Sequence, residues 1–558
     1  MKEIIVSILG AAIHKARAAG QLVSENPPIE VEAPKDPAHG DVATNLALAI
    51  ARAEGKPPRK IAETIVANIT KPAEIQDVTI AGPGFINFRM APGYWHSEMR
   101  RAAHAGASFW RPHGWALNAA GGKKVQVEFL SANPTGPLTV GHGRNAVLGD
   151  TISRLYEAAG FDVTREYYFN DGGRQMKLLA ESVRVRYLNE LGIEAVLPED
   201  GYQGEYIRDI ARNLKNEHGD KLAEVSDREV FRTAAVDAIF ADIKRTCEKL
   251  KISFDIYANE LDLMKSGLVD SALAELGKRG LTLEKDGAIW LRAEPLGLPK
   301  DAVLVRSGPG REPTYRTPDI AYHIEKLKRG FDLIVDVFGA DHIDEHQQVI
   351  AAVKALGHDI APIRAIIYQF VTLTRGGEKV KMSTRKATYV TLDELIDEVG
   401  ADVARFFFLF RKHDSHLDFD IDLARKQAPE NPVFYVQYAH ARLCSVFREA
   451  ANKGLELPED LSTVDLARLS PAEIGLAKRA LGLPEIMTAA ARTLEPHRVP
   501  FYLLDLAGEF HRYYNQPDNR IIGPDRELSV ARMFVAGILK SAIAGGLELL
   551  GVSAPERM

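Results

Sequence analysis

The order strand, Gly/Pro-rich loop, amphipathic helix, strand between Lys124 and Phe169 constrains the fold more than any other feature of the chain. Val125, Val127 and Phe129 alternate with polar residues, a loop with Pro134, Gly136 and Pro137 follows, Asn145 to Ala159 has helical spacing, and Asp162 to Phe169 is again strand-like. Two strands in that order pair in parallel through a crossover helix, forming a βαβ unit. The same grammar recurs in Asp332 to Phe338, the turn Gly339-Ala340-Asp341-His342, and the helix Glu345 to Leu356. Two such units predict one Rossmann-like, doubly wound parallel sheet that binds ligands at the carboxyl ends of its strands.

A chain of 558 residues exceeds one hydrophobic core, so further domains are expected on either side of that sheet. Residues 1–115 predict an α+β module. It begins with an amphipathic helix whose apolar face is Ile4, Ile8, Ala11 and Ala12. A helix from Asp41 to Ile50 is stopped by Gly55, another starts at Pro57-Pro58 and carries Ile61, Ile65 and Ile69, and two strands flank the turn Gly82-Pro83-Gly84. Residues 116–401 form the catalytic domain, with a charged, mainly helical insertion at about 188–290. Residues 402–558 have dense apolar helices and the capping box Ser470-Pro471-Ala472-Glu473, which predicts an all-α bundle.

The formal net charge of -6 argues against non-specific polyanion binding, so a nucleic-acid partner must meet local basic patches. Cys247 and Cys444 are too far apart and too few for a disulfide framework or a cysteine zinc site. A cytoplasmic protein with no signal peptide, no membrane span and no structural metal is expected.

Three segments carry chemistry. In Val127 to Asp150 a glycine, Gly141, precedes His142 at a predicted helix start, where the dipole favours a bound phosphate and an imidazole can donate to it. Gly339-Ala340-Asp341-His342 ends an apolar strand, where a small residue leaves room for a nucleoside and a carboxylate can accept from ribose hydroxyls. Lys379 to Lys386 follows a hairpin turning at Gly376-Gly377; a cationic loop there can stabilise the charge of a pentavalent phosphate, although taken alone it reads as a solvated basic turn.

These segments resemble class I aminoacyl-tRNA synthetases. Thr139, Val140, Gly141 and His142 stand where the class has H-I-G-H, and Lys381, Met382 and Ser383 match K-M-S-K-S, with Thr384 at the second lysine position and Arg385 and Lys386 beside it. The run Ser131, Ala132, Asn133, Pro134, Thr135, Gly136, Pro137, Leu138, Thr139, Val140, Gly141, His142, Gly143, Arg144 resembles the arginyl branch in particular. The resemblance implies Thr139, His142, Lys381 and Arg385 as catalytic groups. It implies an ATP site of Gly141, His142, Gly339, Asp341, His342, Lys381, Met382 and Ser383, with ATP and Mg2+ as substrate. Thr139 departs from the class because threonine offers phosphate only a hydroxyl; either the enzyme tolerates it or the chain has lost activation.

A guanidinium calls for planar anionic or carbonyl partners. Tyr315 and Asp319, at i and i+4 on one helical face, resemble the family's Y-x-x-x-D element for the arginine side chain. By the same resemblance Ser131 and Asn133 hold the amino-acid end, with Glu128 and Glu260 as further acidic candidates. The segments HGDVATNLAL and GPGFINF resemble the family's N-terminal domain, which implies that Phe85 and Asn87 grip the tRNA elbow; the plain alternative is Phe85 in the core and Asn87 in a turn. ENPVFYVQYAHAR resembles the start of its anticodon-binding domain, which implies tRNA contacts by Tyr435, Gln437, Tyr438 and Arg442, and Phe510 to Asn515 reads as either a stacking patch or core. The implied function is arginine–tRNA ligation, with arginine, ATP and tRNA(Arg) as partners, tRNA bound before activation, and a monomeric enzyme.

Overall fold

The computed structural model describes residues 1–34, 36–110, 123–308, 311–380 and 390–558. The chain divides into two compact units, one of Met1–Gly106, Ala450–Leu481 and Ile521–Ile538, the other of Ala107–Glu449, Gly482–Arg520 and Leu539–Met558. This division does not follow chain order: parts of the stretch expected as the C-terminal bundle pack with the N-terminal module. Lys478 explains the grouping, since its ammonium lies 2.7 Å from Asp41 and 4.5 Å from the Trp95 ring centroid.

In the first unit the helix α1 (Lys2–Ala18) buries Ile5, Leu9, Ala12, Ile13 and Ala16. The buried face is one position round from the expected one: Ile4 and Ile8 flank it, Ala11 is exposed, and the Ile5–Leu9–Ile13 row forms its centre. The expected helix from Asp41 begins later, because Val42–Thr44 is a strand, β1, antiparallel to a later one, and α2 runs from Leu46 to Glu54. Gly55, at φ 60°, ends it. The helix α3 (Pro58–Asn68) buries Ile61 and Ile65, with Ile69 just beyond its end, and β2 (Ile75–Ala81) and β3 (Phe85–Met90) form the expected hairpin, before α4 (Pro92–Ala105). The sheet order is β1-β3-β2.

The second unit is built on β4 (Lys124–Glu128), α5 (Val140–Ala158) and β5 (Asp162–Phe169), the predicted βαβ unit. Three helices follow, α6 (Gly173–Glu190), α7 (Glu205–His218) and α8 (Glu229–Lys249). The stretch expected as an insertion also returns to the sheet: β6 (Ile256–Asn259) pairs in parallel with β5, Glu166 opposite Ile256 and Phe169 opposite Asn259. Four residues are too short to declare a period against long charged helices, which is why this strand reads weakly in the sequence. Beyond it lie α9 (Glu260–Lys265), α10 (Leu268–Lys278) and an antiparallel sheet of β7 (Thr282–Lys285), β8 (Ala288–Leu291) and β9 (Ala302–Val305).

The second half of the fold is α11 (Arg316–Lys328), β10 (Leu333–Gly339), α12 (Ile343–Ala355) and β11 (Ile363–Tyr368). The central sheet, order β11-β10-β4-β5-β6, is parallel throughout. The chain leaves β4 toward β5 on one side and meets β10 on the other, so the switch point of the sheet lies between β4 and β10.

A hairpin of β12 (Val371–Arg375) and β13 (Glu378–Lys379) turns at Gly376 and Gly377, both at positive φ (60° and 77°), as a two-residue turn between right-twisted strands requires. The stretch expected as purely helical holds an exception: after a helix at Ala401–Leu409, β14 (Leu417–Asp420) pairs in parallel with β12, burying Leu417 and Phe419 on alternate positions. Further on are helices Pro432–Asn452, Pro471–Leu481, Leu483–Thr493, Arg498–Tyr514 and Arg526–Leu549. Arg526–Leu549 alone among the described helices is long and apolar enough to cross a membrane, and most of its apolar window is buried in protein.

The helix α5 is almost wholly buried and lies against β4 so closely that a Cβ at Gly149 would stand 2.2 Å from the Cβ of Phe129. Gly149→Ala therefore has to displace backbone or the Phe129 ring, an overpacking cost of about 1–3 kcal/mol. A lowered thermal unfolding midpoint is the expected outcome by calorimetry; an unchanged midpoint would contradict this approach of helix to strand.

Candidate active site at the carboxyl ends of the central strands

At the end of β4 the chain turns abruptly: Leu130 and Ser131 both have positive φ, 69° and 41°. Such a conformation costs a non-glycine residue on the order of 1–3 kcal/mol, and surrounding bonds must hold it. Asn145 does so from α5. Its Oδ1 accepts from the Leu130 N–H at 2.6 Å, and its Nδ2 donates to the Val337 carbonyl at 3.0 Å, joining the ends of β4 and β10. Ser131 Oγ then donates to Glu128 Oε1 at 3.1 Å and accepts from the Tyr168 N–H at 3.2 Å. Asn133 Oδ1 accepts from the Asn170 N–H at 3.0 Å, and its amide faces Gln175.

The rest of the loop is held from above and below. Tyr167 donates to the carbonyl of Ala132, and Tyr206 donates to that of Thr135, both at 2.7 Å. The Tyr206 hydroxyl lies 2.9 Å from where a Gly136 Cβ would be, so only glycine fits beneath it. Leu138 is buried, and its carbonyl accepts from Leu392 N–H at 2.8 Å. Thr139 bridges to Thr391 and stands at the N-cap of α5.

His142, in the first turn of α5, faces back to that cap. Its Nδ1 lies 3.1 Å from the Thr139 N–H, which can only donate, so Nδ1 is the acceptor and the neutral ring carries its proton on Nε2. Burial pushes the imidazole down to about 4, so it is neutral at physiological pH. The site thus offers an Nε2–H donor beside the positive end of a helix N-terminus. A Cβ at Gly141 would meet only the Thr139 hydroxyl, at 3.7 Å, which leaves that face open.

Gly339 ends β10, and Asp341 and His342 follow with exposed side chains. His342 Nδ1 lies 3.1 Å from Glu345 Oε2; that bond raises the imidazole above its usual range. Lys381, Met382, Ser383, Thr384, Arg385 and Lys386 lie outside the described residues.

The acid groups form the other wall. Tyr315 is the N-cap of α11 and is half-exposed, and Asp319 lies in its first turn with Pro318 beside it. Burial, then the Glu345, Glu128 and Glu260 carboxylates, raise the Asp319 carboxyl well above its usual range. Glu260, at the start of α9, accepts from Tyr168 Oη at 3.0 Å and Asn170 Nδ2 at 2.6 Å; burial pushes it up to about 7. Beneath them Lys326, fully buried, joins Glu128 to Asp336, 2.7 Å from the latter. These acids are directly opposite each other in the β4–β10 register. Glu166 on β5 is likewise closed off, receiving Arg329 through two nitrogens at 2.7 and 3.0 Å and Gln126 Nε2 at 2.7 Å.

The structure therefore brings Glu128, Ser131, Asn133, Thr139, Gly141, His142, Glu260, Asp319, Gly339 and Asp341 to the switch-point end of one sheet. Sequence reasoning missed Asn145, Lys326, Asp336, Tyr168 and Glu166. A signal existed for one of these: Asp336 is a single acid inside an apolar strand, I-V-D-V-F.

The residues singled out for RNA lie elsewhere. Phe85 opens β3 with its ring exposed, while Asn87 is buried in the middle of the strand. On the helix Pro432–Asn452, Tyr438 is 40% exposed and stacks with Phe434 and with His511, at 6.2 and 5.6 Å between ring centroids. Arg442 lies 4.3 Å from the Tyr514 ring centroid, and Tyr435 packs on His511. Gln437 is engaged with the C-terminal segment, donating to the Ser553 carbonyl at 2.9 Å and to Asp402 at 3.1 Å. Of Phe510 to Asn515, Phe510 is core and Tyr514 belongs to this aromatic face.

Comparison with known proteins matches the sequence and the fold to one family. Residues 3–90 match the arginyl tRNA synthetase N terminal domain, 113–408 the catalytic domain of class I (R) tRNA synthetases, and 436–558 the DALR anticodon binding domain. The arginine–tRNA ligase of Desulfotalea psychrophila is 48% identical over 530 residues, 95% of this chain and 94% of that one. That of Salinibacter ruber is 49% identical over 551 residues, 95% and 96% of the two chains. The Thermus thermophilus arginyl-tRNA synthetase structure shares the fold, with a TM-score of 0.74 at 24% identity over 99% of both chains. The chain belongs to the arginyl-tRNA synthetases, the arginine–tRNA ligases of the class I aminoacyl-tRNA synthetases.

Proposed function

We propose that the switch-point crevice binds arginine against Asp319, Tyr315 and Glu260 and ATP with its Mg2+ against His142 and Asp341, and there makes arginyl-adenylate. The arginine carboxylate attacks the α-phosphate of ATP, and pyrophosphate leaves. A hydroxyl of the 3'-terminal adenosine of tRNA(Arg) then attacks the arginyl carbonyl, and AMP leaves. His142 donates from Nε2 to phosphate oxygens, Thr139 fixes its tautomer, and Gly141 leaves the base room. Gly339 and Asp341 receive the ribose, with His342 at the rim. Ser131 and Asn133 hold the amino-acid end. Lys381, Arg385 and Lys386 supply charge to the pentavalent phosphate, with Met382 and Ser383 in the same loop as further ATP contacts. No covalent bond to the protein is needed, and positioning with charge stabilisation supplies the rate.

The observation that carries this reading is the pairing of excess acid with a cation-shaped demand. Lys326 and Arg329 are taken up by Glu128, Asp336 and Glu166, whereas Asp319 and Glu260 have no ion-pair partner among the described residues. A guanidinium supplies it, with five donors and a permanent charge.

For tRNA, the reading places residues 1–115 at the elbow, with Phe85 as its exposed aromatic, and residues 402–558 at the anticodon, through Tyr435, Tyr438, Arg442 and Gln437. Residues 116–401 hold the chemistry. A cytoplasmic monomer fits the same reading.

ATP/pyrophosphate exchange tests the assignment: it should require arginine together with tRNA(Arg), and absence of exchange under every condition would overturn it. Asp319→Asn should raise the arginine KM about thirtyfold or more, the loss of ~2 kcal/mol or more for a truncated buried charge pair, with the ATP KM unchanged. An unaltered arginine KM would remove Asp319 from the pocket. Glu260, raised to about 7, is protonated below that pH and becomes an anion above it, so a cationic substrate binds better as pH rises. The arginine KM should fall between pH 6 and 8, values chosen to bracket about 7, and Glu260→Gln should flatten that profile; the same slope in both proteins would count against this role.

A further inference from the structure

Glu260 is the first residue of α9 and is almost fully buried, yet no cation among the described residues pairs with its carboxylate. Two neutral donors hold it instead, one on each oxygen. Tyr168 Oη donates to Oε2 at 3.0 Å, and Asn170 Nδ2 donates to Oε1 at 2.6 Å. The amide is not reversible, because Asn170 Oδ1 lies 2.7 Å from the Gly172 N–H, which can only donate; the nitrogen must therefore face Glu260. The phenol ring is fixed as well, packed on the Tyr322 ring with centroids 4.5 Å apart. A carboxylate oxygen can accept two bonds, so one position remains on each, the pair that a guanidinium fork occupies.

The same two residues work in the other direction through their main chain. Tyr168 N–H donates to Ser131 Oγ at 3.2 Å, and Asn170 N–H donates to Asn133 Oδ1 at 3.0 Å. The regular β4–β5 ladder ends with Glu128 opposite Glu166, so these bonds continue the pairing with the side chains of Ser131 and Asn133 in place of main-chain carbonyls. On its other edge β5 pairs with β6 as far as Phe169 opposite Asn259, which leaves Glu260 one residue beyond the last pair. In the order β4-β5-β6 the end of β5 is thus the middle strand, bonded on one side to Ser131 and Asn133 and on the other to Glu260. The neighbouring acids are held by cations: Lys326 takes Glu128 and Asp336, and Arg329 takes Glu166. A phenol and an amide do something different, orienting a carboxylate while leaving its charge to a ligand.

We infer that Tyr168 and Asn170 are paired positioning residues that fix the Glu260 carboxylate relative to Ser131 and Asn133, so that the end of β5 sets the length of cationic side chain the crevice accepts. Neither has to touch a reacting atom. Their side chains act through Glu260 at the guanidinium end, and their N–H groups act through Ser131 and Asn133 at the amino-acid end. Because both sets of bonds start from one strand, the distance between the two ends cannot change without breaking one of them.

The inference rests on the reading of this crevice as the arginine site, and the two can fail separately. A wild-type chain without arginine-dependent exchange would defeat that reading, whereas the following results compare variants of an active enzyme. The assay is ATP/pyrophosphate exchange by the full chain with tRNA(Arg), with homoarginine, one methylene longer than arginine, as competing inhibitor. Tyr168→Phe keeps the ring and removes the donor; it should raise the arginine KM about tenfold, as one lost hydrogen bond to a charged group does, with kcat and the ATP KM within about twofold. The homoarginine inhibition constant should rise less than about threefold, because a side chain one methylene too long does not make the full fork in the wild type either. An unchanged arginine KM would overturn the proposal, and so would equal rises for the two ligands, the result of a general loosening of the site. In a Glu260→Ala background, adding Tyr168→Phe should change the arginine KM by less than about twofold, since the hydroxyl then has no carboxylate to hold. A rise in that background as large as in the wild type would make Tyr168 a direct contact and contradict the role. Asn170→Ala should repeat the pattern; if it does not fold, because its bond to Gly172 is lost, Tyr168→Phe decides alone.

Discussion

The ammonium of Lys326, buried between Glu128 and Asp336, sets the geometry on which the rest of the site depends. Taking three charges out of water costs several kcal/mol per ion and is tolerated only when each is paired at close range. Here the pairing spans the parallel β4–β10 contact, so it holds together the two strands whose ends form the switch point. Breaking such a set by removing one partner typically costs about 3–5 kcal/mol, because an uncompensated charge remains. The same arithmetic defines the pocket. Lys326 and Arg329 are satisfied by Glu128, Asp336 and Glu166, whereas Asp319 and Glu260 have no ion-pair partner among the described residues, as the proposed guanidinium site requires. Stability and specificity are thus drawn from one cluster.

The nucleotide side follows a different logic. Its elements are backbone groups and neutral donors rather than formal charges: a helix N-terminus, an imidazole kept neutral by burial, and the open face of a glycine. Such donors do not have to reorganise as charge develops on a phosphate. Thr139 gains meaning in this setting. Its main-chain N–H fixes the tautomer of His142, and its hydroxyl lies 3.3 Å from the same Nδ1. The substitution that looks like a loss in the motif therefore leaves the orientation of the neighbouring histidine intact.

Much of this could be read before any coordinates. β5 matches the strand expected from Asp162 to Phe169 to the residue, because Gly160 ends the helix before it and the polar, Gly-rich run after Phe169 ends the strand. The Gly-Gly turn placed the β12–β13 hairpin for the same reason. The shorter strands escaped: Ile256–Asn259 and Leu417–Asp420 are four residues each and gain their order from partners far along the chain. Val42–Thr44 reads as the start of a helix in the sequence because its residues run directly into one. At the site, the residues proposed to touch substrate sit in runs whose order is itself distinctive. The residues that hold them, Asn145, Lys326 and Asp336, are separated by up to 191 positions in sequence, as Asn145 Nδ2 on Val337 illustrates with a separation of 192. Long-range pairing of this kind leaves no periodic trace.

The central claim is that arginine and ATP meet in one crevice, between the acids of α9 and α11 and the N-terminus of α5. A crystal structure of the chain with a non-hydrolysable arginyl-adenylate analogue tests it most directly. The account requires the guanidinium against Asp319 and Glu260, the phosphate-equivalent group within hydrogen-bonding reach of His142 Nε2, and the ribose beside Asp341. An analogue bound with its guanidinium in solvent, or on any other face of the sheet, would contradict it.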